Sequence, residues 1–167
     1  MHLTQNERYQ LKKHLCPLLK HAKVQEMNDY MQHGKTSCLM HCLTVTYYSY
    51  MLAKRLSLPI DEASLVRGAL LHDFFLYDWH DKHSHKRWHG FRHPNIALTH
   101  AQHYFRLTPK EVDMIKHHMW PLTPMPPHCL EGWLVTLMDK WCSLRETFHC
   151  AKIPNFLQDD DIKKWLC

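Results

Sequence analysis

Histidine and aspartate are the residues of this chain whose types and spacing could do chemistry. Its 17 histidines exceed ordinary usage and form no contiguous run of the kind an expression tag leaves. Neutral imidazole is the commonest metal ligand among side chains, so several of them are expected to bind metal. Six positions form an ordered set: His41, the adjacent pair His72-Asp73, His93, His118 and Asp139. Asp139 lies in the run Trp133, Leu134, Leu137, Met138, Trp141, which reads as a buried stretch. A carboxylate is rarely buried without a partner, and a cation would compensate it. His72-Asp73 follows the apolar run Ala69-Leu70-Leu71. A helix ending there presents an imidazole and a carboxylate to one ion.

Helices must bring these positions together. Only 4 glycines against 9 methionines argue for helices over a turn-rich β architecture. Residues 5–32 read as helical in two pieces, since Pro17 would kink a helix interior, with Gly34 as a stop. A long helix follows from about Thr36 to Arg55, with Leu39, Leu43, Thr46 and Tyr50 near one face. Asp61 caps a helix running to about His72. Residues 74–92, aromatic and basic without clean periodicity, read as an irregular excursion. His93-Pro94 starts another helix. Thr108-Pro109-Lys110-Glu111 is a strong start signal, with a threonine cap, proline first and glutamate three after the cap. That helix runs to about Met119 and stops at Pro121, and four prolines between 121 and 127 enforce an extended connection. A last long helix covers about Leu130 to His149, and Asp159 caps a short terminal one. Nothing demands a strand, and the expected fold class is all-α.

Composition bounds the rest. A chain of 167 residues, 45% hydrophobic and 22% charged, is expected to be one domain over 1–167 that buries its core without disulfides. The net charge of +5 suits an anionic substrate, but it is spread along the chain and does not imply nucleic-acid binding. Cys38 and Cys42, four apart beside His41, read as small buried thiols. Met1 to Lys13 is polar, unlike a signal peptide, and no segment approaches the ~20 apolar residues of a membrane span. A cytoplasmic protein without membrane association is expected.

The ordered set resembles the HD superfamily of metal-dependent phosphohydrolases, whose signature is H…HD…D. The run RGALLHD (67–73) is similar to its core motif, His41 lies on a preceding helix, and Asp139 in LMDKW stands where the family has its closing aspartate. His93 in HP and His118 in HHMWP resemble the extra pair of the six-ligand dinuclear branch. The resemblance spans roughly residues 35–148. It implies a compact helical bundle around two metals. His41, His72, Asp73 and Asp139 would hold the first ion, and Asp73 would bridge to the second, held also by His93 and His118. It also marks Asp73, His93 and His118 as the catalytic group. Adjacent helical residues point ~100° apart, so His117 joins His118 on one ion only at a frayed helix end, as in some dinuclear relatives. Phe74-Phe75-Leu76-Tyr77 departs from the glycine-lysine continuation many relatives have. No Gly-Tyr-Pro follows His117-His118, which disfavours cyclic di-GMP hydrolysis.

Two cations about 3.5–4 Å apart bind phosphoryl oxygens and lower the pKa of a bridging water until hydroxide forms near neutral pH. The resemblance therefore implies hydrolysis of a phosphomonoester or phosphodiester, a nucleotide among the candidates, by metal-bound hydroxide. Histidine-rich ligation favours two divalent transition-metal ions (iron, manganese, cobalt, nickel or zinc) over magnesium. Arg92 and Lys140, beside His93 and Asp139, are the candidate substrate-binding cations for a small anionic phosphoester, with Lys86 and Arg87 nearby in the chain. Trp79, Trp88 and Trp120 are candidates to stack on a base or sugar, against ordinary aromatic packing. Two alternatives use the same scaffold: a mixed-valent di-iron oxygenase, and a non-enzymatic metal-bound regulator.

Overall fold

The computed structural model describes residues 3–33, 36–78, 89–148 and 154–163. Helix α1, Gln5–Leu19, opens with a capping box. The Thr4 hydroxyl accepts from the Glu7 backbone N–H, and the Glu7 carboxylate accepts from the Thr4 backbone N–H at 2.7 Å. Pro17 sits inside its last turn rather than splitting it. The carbonyl that loses its donor belongs to Lys13, which is exposed to water. The break falls after Leu19, before α2, Ala22–Glu26. The helix expected to reach residue 32 gives way instead to β1, Met31–His33, paired antiparallel with β2, Thr36–Ser37. A ribbon this short carries no readable alternation.

Helix α3, Cys38–Arg55, is capped by the Ser37 hydroxyl and buried on nearly every side from Leu39 to Tyr47. Leu39, Leu43, Thr46 and Tyr50 all lie in the core, as expected. A helix apolar all round belongs at the centre, and α3 packs against both α4, Glu62–Leu71, and α7, Leu130–Thr147. Asp61 caps α4 through the Ser64 N–H. Helix α5, His89–Tyr104, starts before the expected His93-Pro94, so residues 89–92 are helical rather than irregular, and Pro94 lies within the helix. At that position the proline costs only the hydrogen bond to the carbonyl of Gly90, near the helix start. Helix α6, Pro109–His117, begins at the expected capping box of Thr108 and Glu111. A short α8, Asp160–Lys163, follows the Asp159 carbonyl, while the Asp159 carboxylate reaches back to Lys12 of α1 at 3.2 Å.

The helices close on the ends of α4 and α6. Gly68 of α4 faces Met114 of α6, and a side-chain carbon there would collide with the thioether. Glycine costs a helix interior roughly 0.5–1 kcal/mol relative to alanine, and here it buys a close α4–α6 approach. The chain leaves α4 through Phe74 and Phe75, both fully buried, with Leu76 at φ 49°. No described helix is long and apolar enough to cross a membrane.

Candidate metal centre

Five helical segments deliver six side chains to one buried place. His41 comes from the first turn of α3, where the helix faces α7. His72 is the C-cap of α4 and Asp73 follows it. His93 stands in the second turn of α5, His118 is the C-cap of α6, and Asp139 lies mid-way along α7. All six are buried, with His41, His72 and His118 wholly inaccessible.

They fall into two groups that share Asp73. His41, His72, Asp73 and Asp139 offer ligand atoms within 4.8 Å of one another, as do Asp73, His93 and His118. Asp73 Oδ2 faces the first group, 3.5 Å from His72 Nε2 and 3.9 Å from His41 Nε2. Asp73 Oδ1 faces the second, 3.1 Å from His93 Nε2 and 3.4 Å from His118 Nε2. Asp139 Oδ1 lies 3.1 Å from His41 Nε2 and 3.7 Å from His72 Nε2.

The imidazoles are held so that Nε2 points inward. His72 Nδ1 donates to the Ala69 carbonyl at 2.7 Å and His118 Nδ1 to the Ile115 carbonyl at 2.9 Å. A carbonyl only accepts, so both protons sit on Nδ1 and, in the neutral ring, Nε2 presents its lone pair. Both carbonyls lie three residues back, among those a helix end leaves unpaired. His41 Nδ1 lies 2.8 Å from Glu146 Oε2. Carboxylate–imidazole pairs of this kind orient metal-ligating histidines and raise their basicity.

These residues fit a metal. His72 Nε2 and Asp73 Oδ1 are buried without a hydrogen bond, although imidazole nitrogens lie 3.1 and 3.4 Å from Oδ1. A buried polar atom left unpaired costs about 1–3 kcal/mol, and a cation would satisfy both. Charge agrees: two carboxylates in the groups and a third behind His41 are the compensation that buried cations require. Burial alone would raise the Asp73 carboxyl, but His72, His93 and His118 outweigh it and hold it well below the usual carboxylate range. Asp139 is held down against burial in the same way by His41 and His72. Burial dominates at His118 and pushes its imidazole down to about 4, so this ring is neutral near pH 7.

Of the other expected residues, Lys140 reaches the cluster and His117 does not. His117 turns away, its Nδ1 2.8 Å from Asp113 Oδ1, in a separate group with His128. It is His118 that joins His93. Lys140 donates to the His118 carbonyl at 2.9 Å and lies 3.5 Å from Asp139 Oδ2. Arg92 is exposed on α5. Trp120 is half-buried with its ring edge-on to Trp133 at 5.0 Å. Trp79, Lys86, Arg87 and Trp88 lie outside the described residues. The run around Asp139 is not uniformly buried: Leu134 is buried, but Trp133, Leu137 and Trp141 are exposed.

Four supporting residues carried no signal of their own. Glu146 stands two turns after Asp139 on α7, a spacing that keeps both on one face. Ser143 donates to Asp139 Oδ1 at 3.2 Å from the turn between them. Gln32 on β1 donates to Asp73 Oδ2, which is what the β-ribbon positions. Cys38, expected as a packing thiol, is buried and also donates to the Asp73 carbonyl at 3.2 Å.

The HD domain family matches the chain over residues 39–142, a span that contains all six clustered residues. No curated protein and no solved structure gives a significant match.

Proposed function

We propose, on the premise that the chain belongs to the HD domain family of metal-dependent hydrolases, that it is a phosphohydrolase cleaving a small phosphomonoester or phosphodiester, a nucleotide among the candidates. The observation that supports this reading best is the division of Asp73, whose two carboxylate oxygens each face a different set of imidazoles. In this reading residues 1–167 are a single cytoplasmic domain. His41, His72, Asp73 and Asp139 hold one divalent transition-metal ion, and Asp73, His93 and His118 hold a second. Asp73, His93 and His118 form the catalytic group.

Bound there, two such ions supply Lewis acidity, lowering the pKa of water toward neutrality and offsetting phosphoryl charge. The chain's own part is preorganisation. The Ala69 and Ile115 carbonyls keep the Nδ1 protons of His72 and His118 in place, so Nε2 needs no reorientation. Glu146 holds the proton on His41 Nδ1. Gln32 on β1 fixes Asp73 Oδ2, and Lys140 ties the end of α6 to α7 beside Asp139. Among the described residues, Arg92, exposed and next to His93 in the chain, and Lys140, 3.5 Å from Asp139 Oδ2, are the candidate cations for a phosphate.

The test is anaerobic turnover of an aryl phosphate monoester and diester by protein loaded with manganese, cobalt or nickel. Phosphate or phenol release that disappears on chelation and needs no dioxygen is expected. Strict dependence on iron and oxygen, with no ester cleaved anaerobically, overturns the reading.

A further inference from the structure

Helix α7 is apolar on two opposite sides. Its inner side carries Leu134, Val135 and Cys142 with Asp139 and Glu146, all buried. Its exposed positions are Leu130, Trp133, Leu137, Trp141, Leu144 and Thr147. The five large ones retain 38, 42, 57, 37 and 59% of their surface. A helix that is hydrophobic all round is buried on all sides, and contiguous exposed patches of this kind mark interaction surfaces.

The stripe has a symmetry of its own. Read in either direction from Leu137, it runs leucine, tryptophan four residues away, leucine three further on: Leu130, Trp133, Leu137, Trp141, Leu144. Spacings of three and four are those of a seam between two packed helices. A palindrome in type and spacing is what a two-fold interface needs, because there residue i meets j while j meets i. We infer that two copies of this chain pair through antiparallel α7 helices, with Leu137 on the two-fold axis. Trp133 then meets Trp141 of the second copy, and Leu130 meets its Leu144.

Charge and area support a second copy as the occupant. All three carboxylates of α7, on Glu131, Asp139 and Glu146, are buried, so the helix itself places no acidic group on the stripe. The flanking cations are engaged: Lys140 bonds the His118 carbonyl, and Arg145 lies over the Trp141 ring at 4.6 Å. The five side chains expose roughly 500 Å² per copy, and a pair would bury about 1,000 Å², the lower bound for a specific interface. Tryptophan is the residue type most enriched at the centres of such interfaces.

Sedimentation velocity of the full metal-loaded chain over a concentration series tests this. The wild type should sediment as a dimer. Leu137→Asp and Leu137→Lys should each sediment as monomers with an unchanged circular dichroism spectrum, because residue 137 would face its own charge. An equimolar mixture of the two should recover the dimer as a heterodimer. A wild type monomeric at every concentration, as when the chain's own segments cover the stripe, overturns the inference. So does a dimer that survives either single substitution, or a mixture that stays monomeric. Should Leu137→Asp misfold, Leu130→Asp mixed with Leu144→Lys tests the same register.

Discussion

Glu146 Oε2 lies 2.8 Å from His41 Nδ1, both groups buried, at the far side of the imidazole from the metal groups. Glu146→Ala removes the acceptor that orients His41, and loss of such a partner typically costs 10–100-fold in metal affinity or activity. That fall is expected, measured by competition with a chromophoric chelator. Affinity equal to wild type would leave Glu146 with a purely structural place.

The two metal groups should separate genetically. Asp73→Ala should reduce metal at both positions, since each group uses one of its oxygens. His93→Ala and His118→Ala should leave close to one ion per chain and greatly reduce turnover, which then rests on one cation. Elemental analysis of protein purified without chelator decides. Two ions retained in Asp73→Ala would refute the shared carboxylate.

Metal removal should lower the melting temperature. A ligand bound only by the folded state stabilises it by mass action, by about 4 kcal/mol at a thousand times its Kd. Dialysis against chelator followed by calorimetry should show the drop, and added manganese or zinc should reverse it. An unchanged melting curve after confirmed metal loss would argue against a site in the core.

Asp113 makes stability depend on acid away from the centre. Its carboxylate accepts from the backbone of His128 and Cys129 at 2.8 and 3.0 Å and from the rings of His117 and His128. Burial would raise its carboxyl, but hydrogen bonds from His128 and His117 outweigh that and hold it well below its ordinary value. A carboxyl lowered on folding adds stability that is complete above its ordinary pKa and is lost as pH falls toward the folded value. Asp113→Asn should therefore cost about 1–3 kcal/mol near pH 7. It should also flatten the loss of stability below about pH 4, read by urea titration at several pH values. Parallel pH profiles for the two proteins would remove Asp113 from that role.

Ser57 ends α3 at φ 49°, where its N–H and that of Leu58 bond the Lys54 and Ala53 carbonyls at 3.2 and 3.0 Å. This is the left-handed position after a helix that glycine normally fills. Ser57→Gly should stabilise the fold by roughly 0.5–1 kcal/mol, about 2 °C in Tm for a chain of this size. A fall in Tm would show that the serine hydroxyl has an unrecognised partner.

Much of this was legible in the sequence. The Thr108–Glu111 start of α6 was, because a capping box is a local signature. The six clustered side chains were, because their types and order are unusual together. Glu146 was not, because a glutamate in the last turn of a helix is ordinarily solvated and only the fold turns it inward. Gln32 was not, because two strands of three and two residues leave no alternation to read. The orientation of α7 was hidden for a different reason. With Leu134, Val135 and Cys142 on one side and Leu130, Trp133, Leu137, Trp141 and Leu144 on the other, its periodicity does not distinguish the side that faces the core.

His72 and His118 share one arrangement: each ends its helix and anchors its ring on the carbonyl three residues back. The direction in which each imidazole points is thus tied to where its helix stops. One residue inserted within α4 or α6 would rotate everything beyond it by about 100° and advance it 1.5 Å, swinging the ligand out of the cluster while leaving the helix intact. Insertions in the exposed stretches between helices, away from Gln32 and from the buried run Asp73 to Phe75, carry no such penalty. Length changes should therefore be tolerated in those stretches and excluded from the last turns of these two helices.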